Sequence, residues 1–167
     1  MKRSLLFISA IVALATQVVH PCSFIVVFHE LDPIEKQLDH VPPSPPQMSV
    51  FSIQRGRGPN SDGSGSSCDD IGVIVLKLDQ PTQDDRTLPD KIGYLWQVSD
   101  GQPPAELVPP SRPVRLRDDG LLSLVWVDGA TDEQEPLDFS VTVTAFDLAG
   151  NESQPSEPIH IQHPGHK

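Results

Sequence analysis

The segment 137–145 (LDFSVTVTA) alternates apolar and polar side chains with a strict period of two. This is the period of a β-strand, in which successive side chains point to opposite faces of the sheet. A polar second face is typical of an antiparallel sheet that packs a core on one side and meets water on the other. The segment therefore predicts a half-buried strand of an antiparallel sheet.

Six other short segments have the composition of β-strands and are separated by turn-forming residues. They are 48–54, 71–78, 92–98, 114–117, 121–127 and 159–162. The Asp-Gly turn at 118–120 predicts a hairpin into 121–127, and the proline-heavy stretch 103–112 has room only for an edge strand. About seven strands without a helical stretch predict an all-β, antiparallel sandwich. A barrel is the alternative, and the uneven strand spacing favours the sandwich.

The N-terminus has the pattern of a secretory signal peptide. Lys2 and Arg3 precede an apolar run, and Ala13-Leu14-Ala15 fits the small-x-small rule, so we expect cleavage after Ala15. The run is shorter than the roughly 20 residues that span a bilayer, and no later segment predicts a transmembrane helix. We expect a signal peptide (1–15), an N-terminal arm with a proline-rich spacer (16–47), the sandwich (48–162) and a disordered tail (163–167). The protein would then be secreted, periplasmic or on the cell surface.

The two cysteines, Cys22 and Cys68, are the only ones in the chain. An even number in an exported protein predicts a disulfide. That bridge would join the arm to the loop before the second strand, and it would stabilise the fold by roughly 3–4 kcal/mol. A lipid on Cys22 is the alternative, but the residues before it are not the small ones such a site requires. We further expect the apolar run 24–28 to dock on the sandwich, where it would cover an exposed edge.

The segment 141–161 (VTVTAFDLAGNESQPSEPIHI) resembles the last two strands of bacterial fibronectin type III and related immunoglobulin-like domains. The resemblance rests on the alternating strand, the Ala-Gly-Asn turn, and Ser153 and Ser156 before the closing strand. The segment 92–98 (IGYLWQV) is similar to the third strand of such domains. Two features depart from the pattern: Phe139 stands at the tyrosine-corner position, and the usual second-strand tryptophan is missing, with Trp126 on a later strand. The resemblance covers 48–162 and implies binding, spacing or adhesion.

Several polar groups are candidate sites. Asp62, Asp69 and Asp70 could ligate calcium, but no bidentate glutamate follows at the right offset, so an ordinary acidic turn is preferred and no metal is expected. Carboxylate pairs could serve a hydrolase, the recurrent histidines near the C-terminus could bind a transition metal, and three aromatic residues could form a sugar-binding platform. Solvated turns, a solvated tail and a core role are the preferred interpretations. The carboxylate pairs are Asp84–Asp85, Asp118–Asp119 and Glu133 with Glu135. The histidines are His160, His163 and His166, and the aromatic residues are Tyr94, Trp96 and Trp126.

The formal net charge of −11 argues against a nucleic-acid partner, because binding phosphates relies on Lys and Arg. No catalytic motif and no cofactor-binding motif is present, so we expect neither enzymatic activity nor a cofactor. The sequence predicts an exported, non-catalytic interaction or structural module that binds an unknown protein or cell-surface component. The alternatives are a carbohydrate-binding module and, further from the pattern, a hydrolase or metal-dependent enzyme that uses loop carboxylates.

The predicted disulfide can be tested on protein purified from an oxidising compartment. Intact-mass measurement should show no alkylation of Cys22 or Cys68 before reduction and two alkylated cysteines after it. N-terminal sequencing of the same sample should begin at Thr16. Two alkylated cysteines without reduction would contradict both the bridge and the export hypothesis.

Overall fold

The structure, a computed structural model, describes residue 30 and residues 39–57, 70–128 and 134–165. Within these ranges the chain forms seven β-strands and one turn of 3-10 helix, Pro89–Lys91. The predicted all-β class is confirmed. The strands are β1 (Gln47–Gln54), β2 (Ile71–Gln80), β3 (Gly93–Gly101), β4 (Val114–Arg115), β5 (Leu121–Val127), β6 (Leu137–Phe146) and β7 (Ile159–His163).

The strands form two antiparallel sheets, one of order β1-β2-β5 and one of order β4-β3-β6-β7. Their apolar inner faces pack together as a sandwich. At one end of the sandwich, β1 begins while β2 and β6 finish, and we call this the arm end. β1 ends, and β2 and β6 begin, at the opposite end, which we call the cleft end.

One local prediction was wrong, the hairpin at 118–120. The turn at 118–120 closes tightly, since the Gly120 N–H donates to the Arg117 carbonyl at 2.8 Å. It does not form a hairpin, because β4 pairs with β3 and β5 pairs with β2, so the turn carries the chain between the sheets. The proline-heavy stretch 103–112, which had room only for an edge strand, contains no strand. Its prolines lack N–H donors for a ladder, and the segment packs as irregular chain through the buried Leu107.

The core consists of inward-facing side chains from both sheets. From the first sheet come alternate residues of β2 and β5, and from the second come alternate residues of β3, β6 and β7. Both tryptophans belong to it, with 1% of Trp96 and 3% of Trp126 exposed. The core role expected for the aromatic residues is therefore confirmed. The largest fully buried side chains include Trp96, Tyr94, Phe139, Ile74, Leu76 and Ile92.

Two serines in the segment before β7 complete the hydrogen bonding of β6 where β7 does not reach. Ser153 N–H donates to the Ala145 carbonyl at 2.9 Å, and the Ala145 N–H donates to the Ser153 hydroxyl at 2.9 Å. Ser156 repeats this arrangement with Val143, at 2.8 and 3.0 Å. The hydroxyls thus replace the missing carbonyls of a neighbouring strand, which explains why serines occupy these positions.

Gly72 on β2 lies directly opposite Trp126 on β5. A Cβ built on Gly72 would overlap the indole ring, so the absence of a side chain is what gives the tryptophan its place in the core. Trp126 thereby fills the volume that a large side chain on β2 would otherwise occupy.

Gly72→Ala should therefore destabilise the fold by roughly 1–3 kcal/mol through overpacking against Trp126. Urea unfolding at neutral pH measures this. Removing the indole ring with Trp126→Ala should abolish the penalty of the added methyl group, so Gly72→Ala should cost little in that background. An equal cost in both backgrounds would contradict the steric explanation.

Candidate functional site

A buried ion pair lies at the cleft end. Arg55 follows β1 directly and Asp128 follows β5 directly. Two parallel bonds join them, Nε to Oδ2 at 2.7 Å and Nη2 to Oδ1 at 2.8 Å. This fork geometry gives the strong, directional form of a charge-assisted hydrogen bond. Both side chains are almost fully buried.

Further hydrogen bonds extend the ion pair into a network. The Asp128 carboxylate also accepts from Gly56 N at 2.7 Å, Trp126 Nε1 at 3.0 Å and Gln134 Nε2 at 3.1 Å. The remaining Arg55 Nη1 donates to the Glu135 carbonyl at 2.9 Å. The network therefore joins the end of β1, the end of β5 and the segment that leads into β6.

The network sets the pKa of Asp128. Burial alone would raise this pKa, but the hydrogen bonds from Arg55, Gly56 and Trp126, together with the positive charge of Arg55, outweigh burial and lower it. A carboxylate with a lowered pKa stabilises the fold when it is ionised, so its contribution is present at neutral pH and is lost in acid. Its saturated hydrogen bonding indicates a structural role.

An open cleft of about 650 Å³ lies beside the network. The stretch 102–105, the end of β5 and the stretch 134–137 line it. Most polar atoms of its floor already bond to one another, although Gln134 Oε1 is buried without a hydrogen-bond partner in the described part of the chain. The cleft thus offers shape but few free polar groups.

An acidic cluster lies at the arm end. Asp39 precedes β1, Asp84 lies in the loop between β2 and β3, and Asp147 follows β6 directly. One carboxylate oxygen from each lies within 4.8 Å of the other two. Asp39 and Asp147 are buried and Asp84 is half-buried. Three carboxylates at this spacing are a possible set of ligands for a hard cation.

Local hydrogen bonds hold each carboxylate of the acidic cluster. Asp84 Oδ1 accepts the backbone N–H groups of Arg86 and Thr87. Asp147 accepts the Asn151 N–H and its side-chain amide, both at 2.7 Å. Asp39 Oδ1 accepts from Val41 N at 3.0 Å.

Cross-links between these segments fix the cluster as a unit. The Asn151 amide also donates to the Asp39 carbonyl at 3.1 Å, and the Leu148 N–H donates to the Thr87 hydroxyl at 3.3 Å. In addition, the buried Tyr94 hydroxyl donates to Thr82 Oγ1 at 2.9 Å, which ties the β2–β3 loop to β3. Burial raises the pKa of Tyr94, and the bond to Thr82 offsets part of that effect, so the hydroxyl keeps its proton at neutral pH.

The outer face of the sheet β1-β2-β5 is unusually apolar. Cross-strand neighbours on it include Ile71 with Val127 and Val73 with Val125. Phe51, at a bulge of the edge strand β1, adds an aromatic ring that is 61% exposed, and Val127 is 56% exposed. Ser52 and Ser123 also lie on this face, on either side of Val75. We call the apolar residues of the face, of which all but Phe51 and Val127 are half-buried, the apolar face: Phe51, Ile71, Val73, Val75, Leu121, Val125 and Val127.

The corresponding outer face of the other sheet is mostly polar. β6 presents Asp138, Thr142 and Thr144 there, and β3 presents Gln97 opposite Thr142. His160 on β7 lies 3.4 Å from Asp138 at the exposed surface. The two outer faces of one sandwich therefore differ in chemistry.

The structure brings together few of the residues that the sequence singled out. Asp70 is half-buried, its carbonyl accepts the Asp128 N–H at 2.7 Å, and its Oδ1 has no partner among the described residues. Asp62 and Asp69 lie outside the described residues, as do Cys22 and Cys68. His163 accepts from the Gly165 N–H at 3.1 Å, and His166 lies outside the described residues.

The proposed carboxylate pairs do not converge. Asp85, the adjacent Asp118 and Asp119, and Glu135 are exposed on three separate connecting segments, and Glu133 lies outside the described residues. Asp84 alone joins other acids, and they are Asp39 and Asp147 rather than its neighbour. Nor do the three aromatic residues form an exposed platform, because Tyr94, Trp96 and Trp126 are all buried.

Sequence reasoning missed Arg55, Asp128, Asp39 and Asp147. Each stands alone in its segment, and Arg55 and Asp128 are 73 positions apart. The one available signal was the turn 147–151, which resembles a family pattern, but that resemblance does not indicate a role for Asp147.

No protein-family model matches this chain, and comparisons with curated proteins and with solved structures found no match. In the ranges described, no helix is long and apolar enough to cross a membrane.

Asp128→Asn should reduce the free energy of unfolding by roughly 3–5 kcal/mol at pH 7, because Arg55 would remain buried without its counter-charge. The difference from the wild type should shrink as the pH falls below about 4, because the unfolded wild-type chain then takes up a proton at Asp128, and the stability that comes from the lowered pKa in the folded state is progressively lost. Urea unfolding at pH 7, 5 and 3 measures both effects. The control is Asp138→Asn, an exposed aspartate on β6, which should change stability by less than about 0.5 kcal/mol. A difference for Asp128→Asn that stays constant with pH would contradict the assigned role.

Proposed function

We propose that this chain is an exported, non-catalytic binding module that uses the apolar face to contact a protein partner. The apolar face carries this proposal. A sheet face that remains in water normally presents polar side chains, as the outer face of the other sheet does. A contiguous apolar patch on such a face is typical of a protein–protein interface.

Charge supports a protein as the partner. The chain has 23 acidic and 12 basic residues, which disfavours nucleic acid and anionic membranes. Lys77 stands at the rim of the apolar face, opposite Leu121. Apolar residues at the centre with polar residues at the rim are the usual arrangement of a protein interface. Phe51 is the aromatic residue best placed to act as an anchor.

The strand order supports a fibronectin type III-like identity. In the constant-type immunoglobulin arrangement the fourth strand belongs to the sheet of the first, second and fifth strands. Here β4 pairs with β3 instead. Trp126 over Gly72 also supplies a core tryptophan beside β2, where the family's usual tryptophan is missing. Modules of this kind serve binding or spacing, and the separate, exposed acidic turns support a non-catalytic role.

Site-specific photo-crosslinking in the cells that export the protein tests the proposed function. A benzophenone amino acid at position 127 should yield a discrete covalent complex with another protein, because Val127 lies on the apolar face. The same group at position 97, on the polar face, is the matched control and should yield at least roughly tenfold less. Val73→Thr combined with Val125→Thr should reduce the yield at position 127 by a similar factor, since the interface would lose apolar contacts.

Several outcomes would contradict this proposal. Equal crosslinking from positions 97 and 127 would show that the apolar face is not preferred. An intramolecular crosslink to residues 24–28 would show that the chain's own arm covers this face. A crosslink to a second copy would reassign the face to self-association.

A further inference from the structure

We propose that Asp39, Asp84 and Asp147 together bind one calcium ion at the arm end. This proposal is independent of the partner proposed for the apolar face. It also differs from the calcium site that the sequence suggested at Asp62, Asp69 and Asp70, because it uses other residues, which lie at the opposite end of the sandwich from Asp70.

Crowding of like charges is the first argument. One oxygen from each carboxylate lies within 4.8 Å of the other two, and Asp39 and Asp147 are buried. Like charges this close repel, and burial strengthens the repulsion because little water screens it. A bound cation converts the repulsion into attraction.

Unsatisfied oxygens are the second argument. Asp39 is only 4% exposed, yet its Oδ2 has no hydrogen-bond partner within the described ranges. Asp84 Oδ2 is in the same situation. Buried carboxylate oxygens normally accept hydrogen bonds or coordinate a metal. In both residues Oδ1 is held by backbone N–H groups, so the second oxygen is left for another ligand.

The cleft end provides a comparison within the same molecule. There the buried Asp128 has a cation of its own, Arg55, at 2.7 Å. None of the ion pairs found among the described residues involves Asp39, Asp84 or Asp147. Among the residues that the structure describes, the three carboxylates thus gather with no side-chain cation paired to them, which is the arrangement expected of a site for an external one.

The geometry and chemistry of the donors point to calcium. Calcium binds oxygen ligands at about 2.3–2.6 Å, so two ligands on opposite sides of one ion are at most about 5 Å apart. The spread of the three oxygens falls within that limit. Calcium also tolerates irregular geometry and completes its shell with water or carbonyl groups, whereas magnesium demands near-ideal octahedral geometry.

Binding would lock the arm to the sandwich. Asp39 belongs to the arm, and Asp84 and Asp147 belong to two loops of the sandwich. The arm already contacts the β2–β3 loop, since the Ser44 N–H donates to the Gln83 carbonyl at 2.8 Å. A shared ion would add a second, stronger attachment and fix the direction in which the chain enters β1.

Calorimetric titration of calcium into the chelator-treated full chain tests the proposal. One ion should bind per chain, with a Kd of about 10⁻⁴–10⁻³ M, the range of extracellular calcium modules. In thermal unfolding, 10 mM calcium should raise the Tm by roughly 5–10 °C relative to EDTA. The same concentration of magnesium should raise it by less than half as much.

Asp84→Asn is the informative variant. Its Oδ1 can still accept the N–H groups of Arg86 and Thr87, so the loop should keep its shape while the cluster loses one charge. Without calcium this variant should have a higher Tm than the wild type, because repulsion is relieved. Its calcium response should be lost. A purely structural role for Asp84 would predict neither change.

Two controls complete the design. Asp85→Asn, at the exposed neighbour, and Asp70→Asn, in the site suggested by the sequence, should keep the full calcium response. Absence of calcium binding by the wild type would overturn the proposal. So would an equal response to magnesium, loss of binding in Asp70→Asn, or a normal response in Asp84→Asn.

Discussion

Burial of two inner faces against each other is the constraint on which the rest of the structure depends. Every long strand gives its alternate side chains to this layer, which includes both tryptophans and the single tyrosine. Polar chain can therefore cross from one sheet to the other only at the ends. This explains why the buried charges of the described chain lie at the ends, at Asp39, Arg55, Asp128 and Asp147, and not between the sheets. It also leaves the outer faces free to differ in chemistry.

The loops at the two ends of the sandwich are held together by different sets of charged groups. A loop that crosses between sheets must satisfy its backbone groups and is held most firmly by a charged side chain that accepts several of them. At the cleft end, Asp128 accepts hydrogen bonds from three separate segments, and Arg55 balances its charge. At the arm end, Asp147 and Asp84 each organise their own turn in the same way, but no arginine or lysine is paired with them in the described ranges. Within the described ranges, the arm end therefore keeps a surplus of negative charge.

The sequence predicted the positions of the strands far better than it predicted which strands pair with each other or which polar residues cluster. The period-two pattern of β6 and the apolar runs of β2 and β5 depend on local alternation, which a sequence displays directly. The assumed hairpin before β5 failed because alternation shows which face of a strand is buried, but not which strand lies beside it. The sequence also showed no sign that Arg55 contacts Asp128 or that Asp39 lies beside Asp147. The reason is related, because each contact joins positions that are far apart in the chain and have no local pattern. Asp84 was noticed only beside Asp85, because adjacency in sequence was the available signal.

The positions at which the chain enters and leaves the sandwich relate these features to one another. The chain enters β1 at the arm end, beside the acidic cluster. It leaves β7 at the cleft end, where the register pairs His163 with Leu137 and where the backbone of Gly165 lies against the Gln134 carbonyl. A pull on the two ends would therefore act along the strands, and each end has a polar cluster that ties the adjoining loops together. The cleft end is held by groups that the chain supplies itself, so its stiffness should depend little on dissolved metal ions. If a cation binds the three carboxylates as proposed, stiffness at the arm end should depend on it, and the direction in which the arm enters β1 should respond to dissolved cations more than the sandwich does.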